Sequence, residues 1–159
     1  MNRLVLLTIP LLAASAQAQL NEKTEGVLDL CDLPNYANQP VPNYINRDNT
    51  PPGNEITDLG AALGRVLFYD KRLSRNNTVS CASCHQQEHG FSDLAPASSG
   101  VAGTTGRHSM RLINARFAQE PTAFWDERAN SFEQQATQPI QDHVEMGFSG
   151  TLDDPDFGD

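Results

Sequence analysis

The chain has 159 residues and a formal net charge of −9 at pH 7, from 11 Lys and Arg against 20 Asp and Glu. This length suffices for one domain with its own core and is short for two. The acidic balance argues against nucleic acid as a partner, because neutralising phosphates needs clustered Lys and Arg. It favours a basic protein partner or a neutral small substrate. The 3 cysteines are too few for a disulfide scaffold.

The first 18 residues have the features of a secretory signal peptide. Arg3 is their one charged residue, residues 4–14 form an apolar run, and residues 16–18 have the small-x-small pattern of a cleavage site. The run is well short of the ~20 residues that span a bilayer, which argues against an uncleaved anchor. We therefore predict cleavage after Ala18 and an exported, periplasmic product with no membrane span.

Residues 19–54 are rich in Pro and Asn and show no sustained periodicity. We interpret them as an extended arm that lies over the domain, with a disordered linker as the alternative. Residues 55–159 form the predicted domain. The sequence after Gly147 does not indicate a further helix, so we expect the chain to continue in a longer protein.

Apolar spacing and capping signals predict three helices. The first covers residues 57–69, with Thr57 as its N-cap and apolar residues at i, i+4, i+7 and i+8. The spacing over residues 110–117 suggests a second. A third begins at Ser131 and must end or kink near Pro139. No stretch alternates like a strand, so the predicted fold class is all-α with long loops.

Residues 81–85 read Cys-Ala-Ser-Cys-His, a C-x-x-C-H motif. Each thiol can add to one vinyl group of a haem, and the next residue presents an imidazole to the iron. Cys81, Cys84 and His85 are therefore predicted to hold one haem c covalently, with His85 as the iron ligand, in a cytochrome c-like helical domain. A redox C-x-x-C would lack its βαβ context, and a zinc site would lack a second pair of ligands.

The second axial position of the iron decides the function. A strong ligand there gives an electron carrier, and an open position gives peroxide or oxygen chemistry. Met146 is the main candidate ligand, since small cytochromes c place a Met several dozen residues after the motif. The other candidates are Met110, His89, His108 and His143.

Further motifs follow one another along the chain: Leu-Gly-Arg-Val-Leu-Phe-Tyr-Asp at 63–70, Gly-Phe-Ser-Asp at 90–93, Phe-Trp-Asp-Glu-Arg-Ala at 124–129 and Val-Glu-Met-Gly at 144–147. With the C-x-x-C-H, they resemble the N-terminal, peroxidatic haem domain of bacterial di-haem cytochrome c peroxidases and their MauG-type relatives. The resemblance covers residues 54–147. It implies an enzyme that reduces hydrogen peroxide to water with electrons from a small cytochrome c or a cupredoxin.

The resemblance also implies roles for four residues. The family's distal pocket carries a Gln, a Pro and a Glu at the spacing found here in Gln135, Pro139 and Glu145. Over an open haem face, Glu145 would take a proton from one peroxide oxygen and return it to the other. Gln135 would hydrogen-bond the bound peroxide. Trp125 corresponds to the Trp that lies between the family's two haems and helps to pass electrons.

The chain departs from the family pattern at several positions. The distal His of many relatives falls here on Val101, so we expect the iron to be open from the start. Arg107 is followed by His108, where relatives often have an Asn that helps to bind an inter-haem calcium ion, which puts Ca²⁺ binding in question. Glu127 replaces a usual Gly. One C-x-x-C-H is present, so a second haem c is expected in the full-length protein.

Two other functions stay open at this point. One is a non-enzymatic mono-haem cytochrome c that transfers electrons, with His85 and Met146 as iron ligands. The other is a MauG-like oxidase that acts on a partner protein, which shares the open haem. The sequence does not determine the oligomeric state, and a homodimer is among the alternatives.

Overall fold

The computed structural model describes residues 29–150. The described residues divide into two compact units, residues 29–40 with Glu55–Gly64, and Val41–Asn54 with residues 65–150. The predicted signal peptide and the beginning of the predicted arm lie outside the described residues. None of the helices within residues 29–150 is long and apolar enough to cross a membrane.

The all-α prediction is wrong. The described part of the chain has three α-helices, α1 (Asp58–Tyr69), α2 (Cys81–Cys84) and α3 (Phe132–Gln141), and a two-stranded antiparallel sheet of β1 (Ser99–Gly100) and β2 (Gly103–Thr104). Three short 3-10 helices, Lys71–Leu73, Gln87–His89 and Ala115–Phe117, complete the elements. Most of the remaining backbone is loop, so helix content does not by itself indicate a cytochrome c-like fold.

α1 confirms the first predicted helix. The Thr57 Oγ1 accepts a hydrogen bond from the Gly60 N–H at 3.0 Å and caps the first turn. The Asp58 carboxylate accepts the backbone N–H groups of Ala37 and Tyr36, at 2.8 and 2.5 Å. These two hydrogen bonds lower the pKa of Asp58. Asp58 thus ties residues 36 and 37 to the start of α1.

α3 confirms the third predicted helix. The Ser131 Oγ accepts the Gln134 N–H at 3.2 Å, and the Gln134 Oε1 accepts the Asn130 N–H at 2.8 Å. The reciprocal capping bond therefore reaches one residue further back than a standard capping box. Pro139 lies inside the helix, which ends at Gln141.

The second predicted helix, over residues 110–117, is wrong. A single 3-10 turn, Ala115–Phe117, forms there, and it is entered through Asn114 in the left-handed region at φ 56°.

The β1–β2 hairpin was not expected from the sequence. Its strands pair Ser99 with Thr104 and Gly100 with Gly103, and two-residue strands are too short to show an alternating pattern.

Few large side chains are fully buried. Apart from Met146, the buried apolar residues are small, and four serines are buried with them. The buried apolar set is Ala62, Val79, Ala123, Ala129 and Met146. Such a core leaves room for a large cavity.

Candidate active site

α2 brings the two motif cysteines into one helical turn. Ser80 begins the turn, and its N–H donates to the Ser83 Oγ at 3.0 Å. Neither Cys81 nor Cys84 is in a disulfide, and burial raises the pKa of both thiols. Both are therefore free for thioether formation.

The His85 ring is held through one nitrogen. Its Nδ1 lies 2.9 Å from the carbonyl oxygen of Phe91. Because a carbonyl only accepts, Nδ1 carries the proton and Nε2 is left with its lone pair for a metal. Phe91 is in the left-handed region at φ 58°, and its N–H donates to the Gln86 carbonyl at 2.8 Å. This turn aims the Phe91 carbonyl at His85, a contact that sequence reasoning missed.

A cavity of about 710 Å³ lies beside Cys84 and His85. Its volume is within the range of about 300–1,000 Å³ that is typical of ligand and cofactor sites. The lining includes all four residues to which the resemblance gave roles in peroxide chemistry and electron transfer: Gln135, Pro139, Glu145 and Trp125. Gln135 and Pro139 are four residues apart on α3 and so share one face of the helix. The structure thus brings these residues together, while their roles stay predictions.

Burial raises the pKa of Glu145, and the negative charge of Asp142 raises it further, whereas Arg128 lowers it. The Asp142 Oδ1 also accepts the N–H groups of Val144 and Glu145, at 2.9 and 3.0 Å. A carboxyl group with a raised pKa holds a proton more readily near neutral pH. This property suits a group that accepts a proton and then returns it.

Trp125 lines the cavity and is 59% exposed. Its indole N–H donates to the His108 carbonyl at 2.8 Å. The His108 ring is engaged at both nitrogens, with Nδ1 2.8 Å from the Ala95 carbonyl and Nε2 2.9 Å from the Ser92 Oγ. His108 therefore fixes the loops that hold Trp125 and has no ring nitrogen left for iron.

The other candidate ligands are placed differently. Met146 is buried, at 3% exposure, and is not among the residues that line the cavity. Met110 does line it, whereas His89 and His143 do not. Of the two proposed Met ligands, Met110 alone borders the cavity beside His85.

Arginines border the cavity. Arg107, Arg111 and Arg128 belong to its lining. Asp126 pairs with Arg107 and with Arg128, each at 2.9 Å, and the Arg128 guanidinium carbon lies 3.4 Å from the centroid of the Phe124 ring. Guanidinium groups bind carboxylates well, and a haem carries two of them as propionates.

Two thiols in one turn, an imidazole with its Nε2 available, and an adjoining cavity with arginines in its lining fit a covalently attached haem. Within residues 29–150 no group of three or more His, Cys, Asp or Glu could hold a metal ion, so the zinc alternative has no ligand set there. The class of protein that these features fit is a c-type haem domain with a cavity beside the haem-binding motif.

Comparison with known proteins identifies the family. Residues 58–154 match the family model of di-haem cytochrome c peroxidase. The chain is 38% identical over 109 residues to the cytochrome c551 peroxidase of Pseudomonas aeruginosa, which covers 68% of this chain and 30% of that protein. It is 41% identical over 104 residues to the methylamine utilization protein MauG of Methylorubrum extorquens, covering 64% of this chain and 29% of MauG.

A solved structure gives the same result. The crystal structure of a MauG-like protein associated with microbial copper homeostasis matches with a TM-score of 0.64 and 36% identity, over 73% of this chain and 36% of that one. The chain belongs to the di-haem cytochrome c peroxidase family, as its motifs indicated, and the family implies haem c. It spans about 30% of the length of the curated relatives named above.

Proposed function

We propose that this chain supplies the peroxidatic haem domain of an exported, periplasmic enzyme that reduces hydrogen peroxide to water. The observation that most supports the proposal is the cavity beside His85, which is lined by Gln135, Pro139 and Glu145. Cys81 and Cys84 would attach a haem c, and His85 would bind its iron through Nε2. When bound, the haem supplies an iron that binds peroxide and delivers electrons to it.

The chain's own residues supply the proton transfer. Glu145 takes the proton from one oxygen of the peroxide and returns it to the other, which leaves as water. Gln135 donates an amide N–H to the bound peroxide and, being neutral, does not compete for the proton. Overall, hydrogen peroxide takes up two electrons and two protons and yields two molecules of water.

Electrons reach the site by way of Trp125 in this proposal. Its hydrogen bond to the His108 carbonyl fixes the ring, and its exposure leaves room for a redox group to approach. The donor is a small cytochrome c or a cupredoxin, which acts through a second haem c in the full-length protein. The charge of −9 suits a donor with a basic docking surface.

A MauG-like oxidase that acts on a partner protein is the second candidate. The 41% identity to a MauG protein favours it. Val101 has no side-chain atom that can bind iron, which agrees with an open iron in either enzyme. An open iron face serves both activities. Turnover of peroxide with a cytochrome donor, compared with oxidation of a partner protein, distinguishes the two.

Glu145→Gln in the full-length holoprotein tests the proposal. We expect an unchanged haem absorption spectrum and a rate of reaction with hydrogen peroxide lowered about 10²–10⁴-fold, the usual contribution of acid–base catalysis. Glu133→Gln is the matched control, because it makes the same change in the first turn of α3, outside the cavity lining. A Glu145→Gln protein with the parent's rate would remove Glu145 from this role.

The ferric absorption spectrum tests the open iron separately. A high-spin spectrum is expected for an iron with a free or water-bound position. A low-spin spectrum with the weak red band of Met–iron ligation would favour the electron carrier, with Met110 as the ligand that lines the cavity.

A further inference from the structure

We propose that Gly100 is a positioning residue for Glu145, and that the β1–β2 hairpin is the support that sets where this carboxyl group lies. The inference rests on the proposed role of Glu145 and adds to it a residue outside the cavity lining. Val101, in the turn of this hairpin, is where the resemblance places a displaceable distal His. A valine cannot bind iron, so the hairpin has a different task in this chain.

The backbone of Gly100 lies directly against the backbone that carries Glu145. A Cβ on Gly100 would lie 1.9 Å from the carbonyl oxygen of Val144, 2.8 Å from its carbonyl carbon and 3.0 Å from the Glu145 Cα. Real Cβ atoms essentially never come closer than 3.0 Å, so any side chain at position 100 must push the two backbones apart by about 1 Å. Glycine is the residue that permits this approach.

Two hydrogen bonds join the hairpin turn to the same segment. The Val101 N–H donates to the Glu145 carbonyl at 3.1 Å, and the Ala102 N–H donates to the Val144 carbonyl at 3.2 Å. The contact at Gly100 and these bonds act on the same two residues. A change at Gly100 is therefore transmitted to Glu145.

The base of the hairpin is also fixed. The Thr105 N–H donates to the Ser98 carbonyl and the Ser98 N–H to the Thr105 Oγ1, both at 2.9 Å. Ser98 is 1% exposed, and its Oγ lies 2.8 Å from the Ser109 Oγ. On the other side, the Asp142 Oδ1 accepts the Glu145 N–H at 3.0 Å. Because the hairpin is fixed at its base, a side chain at position 100 strains the Val144–Glu145 backbone and displaces Glu145 against its bond to Asp142.

Gly100→Ala in the full-length holoprotein is the test. Since a misplacement of about 1 Å can cost ~10²-fold in rate, we expect the rate constant for reaction with hydrogen peroxide to fall about 10²-fold. The pH at which this rate is half-maximal should also shift, while the haem absorption spectrum stays that of the parent. Gly64→Ala is the control, because a Cβ there meets nothing within 4 Å. A Gly100→Ala protein with the parent's rate and pH profile overturns the proposal.

The Glu145→Gln variant separates this inference from the proposed function, and hydrogen exchange tests the hairpin without any variant. If Glu145→Gln reacts like the parent, the role of Glu145 fails, and its positioning fails with it. If Glu145→Gln is slow and Gly100→Ala is not, the inference about Gly100 alone fails. Hydrogen exchange of the parent serves where Gly100→Ala does not fold: the Val101 and Ala102 amides should be protected, and exchange at the rate of an unstructured loop overturns the hairpin support.

Discussion

Glu127 gives a test of backbone strain at the border of the site. It is in the left-handed region at φ 55°, in a turn closed by a hydrogen bond from its N–H to the Phe124 carbonyl at 3.1 Å. This region costs a residue with a side chain roughly 1–2 kcal/mol and glycine almost nothing. Glycine also has more conformational freedom in the unfolded chain, and this entropy cancels about 0.4–1 kcal/mol of the stability gained. Glu127→Gly should therefore raise the free energy of unfolding by about 0.5–1 kcal/mol.

Urea unfolding of the holoprotein at neutral pH measures this change, with an unchanged m-value as the sign that the unfolded state is the same. Asn77→Gly is the matched control. Asn77 is also left-handed, at φ 60°, but Asn tolerates this region better than Glu, so its gain should be smaller. Loss of stability in Glu127→Gly, or a larger gain in Asn77→Gly, would refute the strain argument. A gain would also account for the glycine that the family usually has at position 127.

Asp142 and Ser131 carry the remaining predictions. Burial raises the pKa of Glu145 and the Asp142 charge adds to it, so Asp142→Asn, which keeps an oxygen acceptor, should lower that pKa. Deprotonated Glu145 then persists to lower pH. The pH below which the rate of reaction with hydrogen peroxide falls should therefore be lower than in the parent, and a higher pH for this fall contradicts the prediction. Ser131→Ala removes the acceptor for the Gln134 N–H and should cost about 1 kcal/mol in unfolding free energy, whereas Ser131→Thr should retain most of it. An unchanged melting temperature in Ser131→Ala would show that the cap is not used.

Helix N-cap residues predicted where helices begin more reliably than the spacing of apolar residues predicted where helices form. Thr57 and Ser131 begin helices as expected, because an N-cap depends on the residue itself and on the next turn. The helix predicted over residues 110–117 does not form. Of the three residues that suggested it, Phe117 lies in the 3-10 turn, and Met110 and Ile113 line the cavity. The apolar character of these two therefore belongs to the cavity wall and not to a helix face.

The sequence provided grounds for predicting a site where residue type carries the chemistry, and the roles of its residues stay predictions. The C-x-x-C-H motif indicated its own role, and the grouping of Gln135, Pro139 and Glu145 came from the family resemblance and not from periodicity. The Phe91 carbonyl that holds His85 could not be found in this way, because its direction depends on a φ of 58° and every residue has a carbonyl. The same holds for the hairpin, whose contacts with residues 144 and 145 are made by backbone groups.

Glu145 is thus placed largely by backbone groups, although most of the surrounding chain is loop. Its N–H is held by Asp142, its carbonyl by the Val101 N–H, and the next carbonyl, of Met146, by the Arg75 N–H at 2.8 Å. Hydrogen bonds from backbone amides do not depend on which side chain the donor carries, so Val101 can differ from the relatives' His without loss of this support. Gly100 is the exception, because its contact requires that there be no side chain at all. The position of the proposed acid–base group should therefore tolerate change at 101 and not at 100.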